Sequence, residues 1–187
     1  MNDTPLFIPL LLGTNREGRQ SEAVAQFLLE KLGYRTDVAT ELFDVRAFTF
    51  SANDYGGALK EKNAPWRDAV RRADGLLIVS PEYNHGYPGT LKAALDLLFD
   101  EYKHKAVGIA AVSGGPWGGA RMVENLLPVL RELGLVAIHQ TLYFPNAGTT
   151  FGPRGTPADA GLEKRVGAFL DELVWMARVL KAGRASL

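Results

Sequence analysis

Three short segments hold most of the residues able to do chemistry on a small ligand. The first is Gly13-Thr14-Asn15-Arg16-Glu17-Gly18-Arg19-Gln20-Ser21. It gathers hydroxyls and two arginines just before a run with helical periodicity that begins at Ser21. Exposed N–H groups at a helix start and the helix dipole both favour an anion, so the chemistry is phosphate binding. Gly13 and Gly18 have the spacing of a nucleoside-triphosphate loop. Arg19-Gln20 stand where Lys followed by Ser or Thr is required, so nucleotide hydrolysis is not expected. The same residues also suit a plain polar turn into a capped helix.

The second segment is Ser80-Pro81-Glu82-Tyr83-Asn84-His85-Gly86-Tyr87-Pro88-Gly89-Thr90-Leu91-Lys92. Its prolines and glycines predict a rigid exposed loop that offers backbone groups and aromatic surface to a planar heterocycle. The plainer alternative is a long turn with its tyrosines packed on the fold. The third is Ser113-Gly114-Gly115-Pro116-Trp117-Gly118-Gly119-Ala120-Arg121, whose glycines let a ligand approach the main chain closely. Glycine richness alone would equally fit a flexible connector. No His or carboxylate pair has metal-ligand spacing. His85 lies in the second loop, within reach of a ligand or a partner, whereas His104 and His139 read as surface or packing residues. Glu82 reads as a structural acceptor rather than a base, and Asp96, Asp100 and Glu101 as a solvated helix face.

The elements that must position these loops follow from hydrophobic pattern. Strands are expected at Leu6–Leu12, Arg35–Val38 (extending toward Leu42), Leu76–Ser80, Ala106–Ser113 and Val136–Phe144. The first, third and fourth are nearly continuous in apolar residues, the signature of strands covered on both faces of a parallel sheet. Helices fit between them. One is capped by Ser21 and stopped by Gly33, and one runs from Pro65 toward Ala73. Another runs from Thr90 to Tyr102, and a fourth carries Met122 to Leu133 with Pro128 kinking it or splitting off its first turn. Thr156-Pro157-Ala158-Asp159 reads as a capping box before a final helix through Leu180. Val45–Pro65, including Ser51–Gly57, and Pro145–Thr156 read as irregular.

This order predicts a single α/β domain over residues 1–187: a flavodoxin-like, doubly wound five-stranded parallel sheet, order 2-1-3-4-5, helices on both faces. In that order strands one, three and four are neighbours, and the three loops leave their carboxyl ends at the topological switch point. One composite site is expected, with phosphate at the first loop and a flat ring between the second and third.

The chain has 187 residues, enough for a substantial core, and balances 21 Lys and Arg against 21 Asp and Glu. A neutral balance argues against nucleic acid as a partner. The absence of cysteine excludes disulfides, thiolate nucleophiles and thiolate-held metals. Leu6–Leu12 is too short to span a bilayer and lacks the flanks of a signal segment, so no membrane association and a cytoplasmic location are expected.

The three segments resemble the NAD(P)H-dependent FMN reductase family, which includes quinone, azo-dye and chromate reductases. Gly13-Thr14-Asn15-Arg16, continuing to Ser21, is similar to that family's phosphate loop, with Thr for Ser. Ser80-Pro81-Glu82-Tyr83-Asn84, then Pro88, Leu91-Lys92 and Asp96, is similar to its most specific stretch. Ser113-Gly114-Gly115 with Gly118-Gly119 is similar to its third loop. Ala93 and Leu97 depart from the family's frequent Asn and aromatic residue.

The resemblance implies non-covalent FMN and NAD(P)H as co-substrate. The phosphate would lie on Thr14, Asn15, Arg16 and Ser21, and the ring on Pro81, Glu82, Tyr83 and Asn84 and on Ser113, Gly114 and Gly115. It implies an oxidoreductase that passes a hydride to the flavin and then to a small-molecule electron acceptor: free flavin, quinone, azo compound or metal oxyanion. Turnover is expected to be ping-pong, with the chemistry on the flavin and no catalytic side chain. The competing readings are a flavodoxin-type carrier, against which the neutral charge weighs, and a non-catalytic flavin sensor. A homodimer or homotetramer is also implied. Leu97, Phe99 and Tyr102 are expected to supply apolar surface for it beyond the stripe of their own helix.

Overall fold

Continuous apolar strands are separated by helical stretches, and among the described residues every pairing between these strands is parallel. The computed structural model describes residues 4–51, 57–152 and 156–187. The strands are β1 (Leu6–Phe7), β2 (Leu10–Leu12), β3 (Val38–Ala39), β4 (Leu42–Asp44), β5 (Gly75–Pro81), β6 (Lys105–Val112) and β7 (Leu135–Phe144). The helices are α1 (Ser21–Gly33), α2 (Gly57–Lys62), α3 (Ala64–Arg72), α4 (Gly89–Leu95), α5 (Ala120–Glu132) and α6 (Leu162–Arg184).

The main sheet has five strands in the order β4-β2-β5-β6-β7, and β1 and β3 form a separate pair. The expected order 2-1-3-4-5 is therefore not matched strand for strand, because the first two expected strands are each divided. Pro9 lacks the N–H a ladder needs and separates β1 from β2. The second expected strand begins late. Arg35 turns back on Asp37, with Nε to Oδ1 at 2.9 Å, so the chain becomes extended only at Val38. The switch-point geometry survives, since β2, β5 and β6 are adjacent.

Alternation along the strands divides the core into two layers. Leu10, Leu12, Leu77, Val79 and Ala110 face the cluster that includes α1 and α6. Leu11, Leu76, Ile78, Val107 and Ile109 face the cluster that includes α3, α4 and α5. Gly108 lets α6 approach the sheet closely. A Cβ there would stand 2.6 Å from Phe169 Cζ. Opposite Gly108 the register of β7 jumps from Ala137 to Thr141. The Glu172 carboxylate accepts the His139 and Gln140 N–H groups in that bulge, at 3.0 and 3.3 Å.

Several expected boundaries are corrected. Ser21 is the first helical residue of α1, not its cap; Gln20 takes the cap position without a side-chain bond. α5 runs unbroken through Pro128, an exposed position where the unpaired carbonyl one turn back can face water. Gly161, not Thr156, precedes α6, while Pro157 bridges Phe151 and Asp159 Oδ1 accepts the Gly161 N–H at 2.7 Å. Val45–Pro65 is not wholly irregular. It contains a 3₁₀ turn, Val45–Ala47, and α2, held by buried Leu59 and by Asn63, whose side chain bonds both polar backbone atoms of Thr49 at 2.9 Å. Residues 52–56 of the loop expected at Ser51–Gly57, and residues 153–155, lie outside the described residues.

The largest correction concerns the helix after the second loop. α4 stops at Leu95 instead of reaching Tyr102. The chain then folds inward, burying Leu97 and Tyr102, with the Tyr102 hydroxyl accepting from Trp66 Nε1 at 3.3 Å. Phe99 alone of the three expected interface residues is exposed. The apolar surplus assigned to an interface is mostly this chain's own core.

Candidate functional site

The three loops are tied together by side chains that local sequence patterns do not pair. Gly13 packs against Leu91 at the start of α4, and its carbonyl accepts the Thr90 hydroxyl at 3.0 Å. The hydroxyls of Thr14 and Tyr83 share a 2.8 Å hydrogen bond, joining the first loop to the second. Asn84 and His85 both have positive φ, 49° and 69°, and Tyr83 and Gly86 exchange backbone hydrogen bonds around them. That is a tight primed turn, whose conformation Asn tolerates best after Gly. The His85 carbonyl accepts from Asn125 Nδ2 at 2.9 Å, which pins the turn to α5.

Glu82 joins the second loop to the third. Its N–H donates to Val112 at 2.8 Å, and its carboxylate accepts the Arg121 and Met122 N–H groups at 3.1 and 3.2 Å. Glu82 thus caps α5, the structural role its position suggested. In the third loop, Ser113 Oγ accepts the Gly115 N–H at 3.0 Å. Gly114 is exposed, and a Cβ there would meet nothing within 4 Å. Gly118 and Gly119, both at positive φ, fold this loop back onto Tyr143 and Ala111. A fourth segment contributes: the N–H groups of Asn146 and Ala147 donate to Gly115 and Ser113 at 3.1 and 2.9 Å.

The first loop carries the electrostatics. Arg19 is buried and fully used, donating to the Thr14 carbonyl, to both oxygens of Asp44 and to Glu22. The hydrogen bond with Asp44 raises the Arg19 pKa above its ordinary value. Burial pushes the Asp44 carboxyl up, but the bonds from Arg19 and the Arg46 N–H outweigh it and hold that group low. Both remain charged. Arg46 donates to the carbonyls of Asn15 and Arg16 at 3.3 and 2.6 Å.

Three expected phosphate residues are left uncommitted. The Asn15 and Arg16 side chains are exposed and make no hydrogen bond or ion pair among the described residues. Ser21 is different in kind. It is 1% exposed, yet its Oγ has no hydrogen-bond partner, and it opens a 13-residue helix that no side chain caps. A buried, unpaired hydroxyl at such a terminus is chemically suited to donate to an anion. The fourth, Thr14, is buried and already bonded to Tyr83.

Sequence comparison places this arrangement. A family model described as NADPH-dependent FMN reductase matches residues 8–149. The chain belongs to that family. The protein is accordingly an oxidoreductase that uses FMN, with NAD(P)H as co-substrate. It is similar to an FMN-dependent NADPH-azoreductase of Staphylococcus aureus, 25% identical over 178 residues that cover 88% of this chain and 92% of the relative. Among solved structures, the flavoenzyme NAD(P)H:(acceptor) oxidoreductase FerB of Paracoccus denitrificans superposes with a TM-score of 0.78 at 21% identity, covering 92% of this chain and 97% of that one. The NADH:FMN oxidoreductase EMOB, in its apo form, gives 0.73 at 23% identity over 91% of this chain and 89% of that one. These likenesses establish the fold.

The residues present fit FMN. The orphaned Ser21 hydroxyl, the uncapped α1 terminus and the exposed Arg16 guanidinium suit a terminal phosphate. Sequence reasoning missed Asp44 and Arg46, which shape that loop from the end of β4. The signal was Leu42-Phe43-Asp44, an apolar pair closing on a charge, obscured by starting the strand too early. Among the described residues no helix is long and apolar enough to cross a membrane, and no group of three or more His, Asp or Glu is placed to hold a metal.

Proposed function

We propose that residues 1–187 form one domain that holds FMN non-covalently at the carboxyl ends of β2, β5 and β6 and reduces a small acceptor by a ping-pong sequence. The acceptor classes are free flavins, quinones, azo compounds and metal oxyanions. The observation that carries the reading is the buried, unpartnered Ser21 hydroxyl at the uncapped start of α1. Thr14, Asn15, Arg16 and Ser21 would receive the phosphate. Pro81, Glu82, Tyr83 and Asn84, with Ser113, Gly114 and Gly115, would border the ring.

Bound FMN supplies the hydride chemistry, so that NAD(P)H, H⁺ and a two-electron acceptor yield NAD(P)⁺ and the reduced acceptor. The protein's residues supply position and charge. Arg46 fixes the first loop by donating to the Asn15 and Arg16 carbonyls, and the Arg16 N–H donates to Thr14 Oγ1 at 3.4 Å. Gly115 has already spent its N–H on Ser113. The Gly114 N–H, with no backbone acceptor among the described residues, is therefore the donor best placed to stabilise negative charge on the ring edge. Glu82, whose Oε2 accepts two N–H groups of α5, has a structural role in this reading.

Exposed Trp175 and Val179, four residues apart on α6, support self-association as a homodimer or homotetramer, and a cytoplasmic location belongs to the same reading. The testing experiment is FMN titration of the folded apoprotein, followed by anaerobic mixing with NADPH and steady-state kinetics. Parallel double-reciprocal lines support sequential use of one space, and intersecting lines with a demonstrated ternary complex overturn it.

A further inference from the structure

Asn146 is one of four non-glycine residues with positive φ among the described residues, and Asn84 and His85 of the second loop are two of the others. Its φ and ψ are both 49°, in the left-handed region that Asn tolerates better than most side chains. The Asn146 side chain does not account for this conformation, because it is exposed and makes no hydrogen bond among the described residues. The backbone does. Successive N–H groups of an extended strand point to opposite sides, whereas a left-handed turn can aim two of them the same way. Here the Asn146 and Ala147 N–H groups both reach the third loop, donating to the Gly115 and Ser113 carbonyls at 3.1 and 2.9 Å. The Asn146 carbonyl accepts the N–H and the hydroxyl of Thr149, at 2.8 and 3.0 Å, which holds the turn.

These two bonds decide which way the third loop faces. A peptide is planar and trans, so its C=O and N–H point in opposite directions. Ala147 holds the Ser113 carbonyl and thereby turns the Gly114 N–H, in the same peptide, away from the fourth segment. Ser113 is fixed on its other atoms too: its N–H donates to the Phe144 carbonyl at 3.0 Å, and its Oγ accepts the Gly115 N–H at 3.0 Å. Gly114 is exposed and has no side chain to restrain it, so its peptide takes its direction from these neighbours. With both carbonyls drawn to the fourth segment, the loop presents an N–H on its other side. Released, the same peptide could turn its oxygen there, which would repel a ring that gains negative charge on reduction.

We propose that Asn146 is a positioning residue for the flavin: its left-handed backbone fixes the Gly114 N–H toward the ring edge and so raises the reduction potential of bound FMN. This rests on the FMN reading above and adds to it a residue from outside the three loops. Asn146 acts only through the third loop.

The test replaces Asn146 by Val, Ala and Gly. Three quantities are measured for each protein: affinity of the apoprotein for oxidised FMN by fluorescence titration, midpoint potential of the FMN-loaded protein against a reference dye, and stability of the apoprotein in urea. Gly enters the left-handed region freely, and Val, branched at Cβ, does not. Asn146→Val should bind reduced FMN, relative to oxidised FMN, about tenfold more weakly than the wild type does. That is the scale of one charge-assisted hydrogen bond, and it is read as a potential about 30 mV more negative. Asn146→Ala should shift the potential in the same direction by less, and it carries the comparison if the Val variant does not fold. Asn146→Gly should keep the wild-type potential. A potential that stays at the wild-type value in the Val and Ala variants, with oxidised and reduced FMN weakened equally or not at all, overturns the positioning role. A loss in Asn146→Gly as large as that in Asn146→Val overturns the argument from backbone conformation. If the wild-type apoprotein takes up no FMN, the parent reading falls first and this one with it. FMN uptake and reduction by NADPH in the wild type, with a potential insensitive to these substitutions, overturns this inference alone.

Discussion

Replacing Ser21 by alanine should move two measurements in opposite directions. The Ser21 hydroxyl is buried and has no hydrogen-bond partner among the described residues. An unsatisfied buried polar group costs about 1–3 kcal/mol, and no bond is lost by removing it. The apoprotein of Ser21→Ala should therefore be as stable as the wild type or more stable, by up to about 1 kcal/mol once the loss of a small volume is counted. FMN binding should respond the other way. A hydrogen bond to a charged phosphate contributes about 1.5–3 kcal/mol, so affinity should fall roughly ten- to a hundredfold. Urea unfolding of the apoprotein and fluorescence titration with FMN measure the two effects separately. A clear loss of apoprotein stability would mean that the hydroxyl serves the fold. Unchanged FMN affinity would remove Ser21 from the phosphate site and refute the reasoning.

Arg16→Ala should weaken FMN binding by about 1.5–3 kcal/mol and leave the apoprotein melting temperature nearly unchanged, because an exposed, unpaired guanidinium supports no core; the same titration checks both. Arg46→Ala should reduce FMN affinity by about 1–2 kcal/mol through a loosened loop, and its effect should shrink in the Arg16→Ala background if both act on one anion site, as a double-mutant cycle would show. Gly108→Ala should destabilise the fold by about 1–3 kcal/mol in urea, since its methyl would meet the Phe169 ring inside the core. Lys105 is buried beneath the end of α3, and burial, aided by Arg184, lowers its pKa to about 8. Protonating it costs the folded state more than the unfolded one, so the unfolded chain binds more protons between pH 8 and about 10.5 and stability rises across that window. The rise should be about 2–3 kcal/mol relative to Lys105→Met, measured by unfolding at each pH.

Much of the candidate site was legible in the sequence because its loops are locally abnormal. The prolines, glycines and tyrosines of Ser80–Lys92 and the glycines of Ser113–Gly119 mark themselves in sequence, and continuous apolar strands place them at one end of a parallel sheet. What escaped depends on contacts between distant residues. Nothing near Thr14 announces that its hydroxyl meets Tyr83, or that Arg46 holds the Asn15 and Arg16 carbonyls. The second strand was placed early because Arg35-Thr36-Asp37 leads straight into Val38, whereas Arg35 pairs with Asp37 and Asp171 and the strand starts only at Val38. The helix of the second loop was drawn too long because Leu97 and Tyr102 continue an apolar pattern. Burial is satisfied there by folding the chain inward, which periodicity alone does not distinguish from a helix seeking a partner.

The central claim is that these loops form an FMN site at which NAD(P)H delivers its hydride. Anaerobic stopped-flow mixing of the FMN-loaded protein with stoichiometric NADPH or NADH tests it directly. The account predicts rapid loss of the oxidised-flavin absorbance with at least one of the two nicotinamides, and its return when an acceptor is added. A folded protein that takes up no FMN, or whose bound FMN keeps its oxidised spectrum with both nicotinamides, would contradict it.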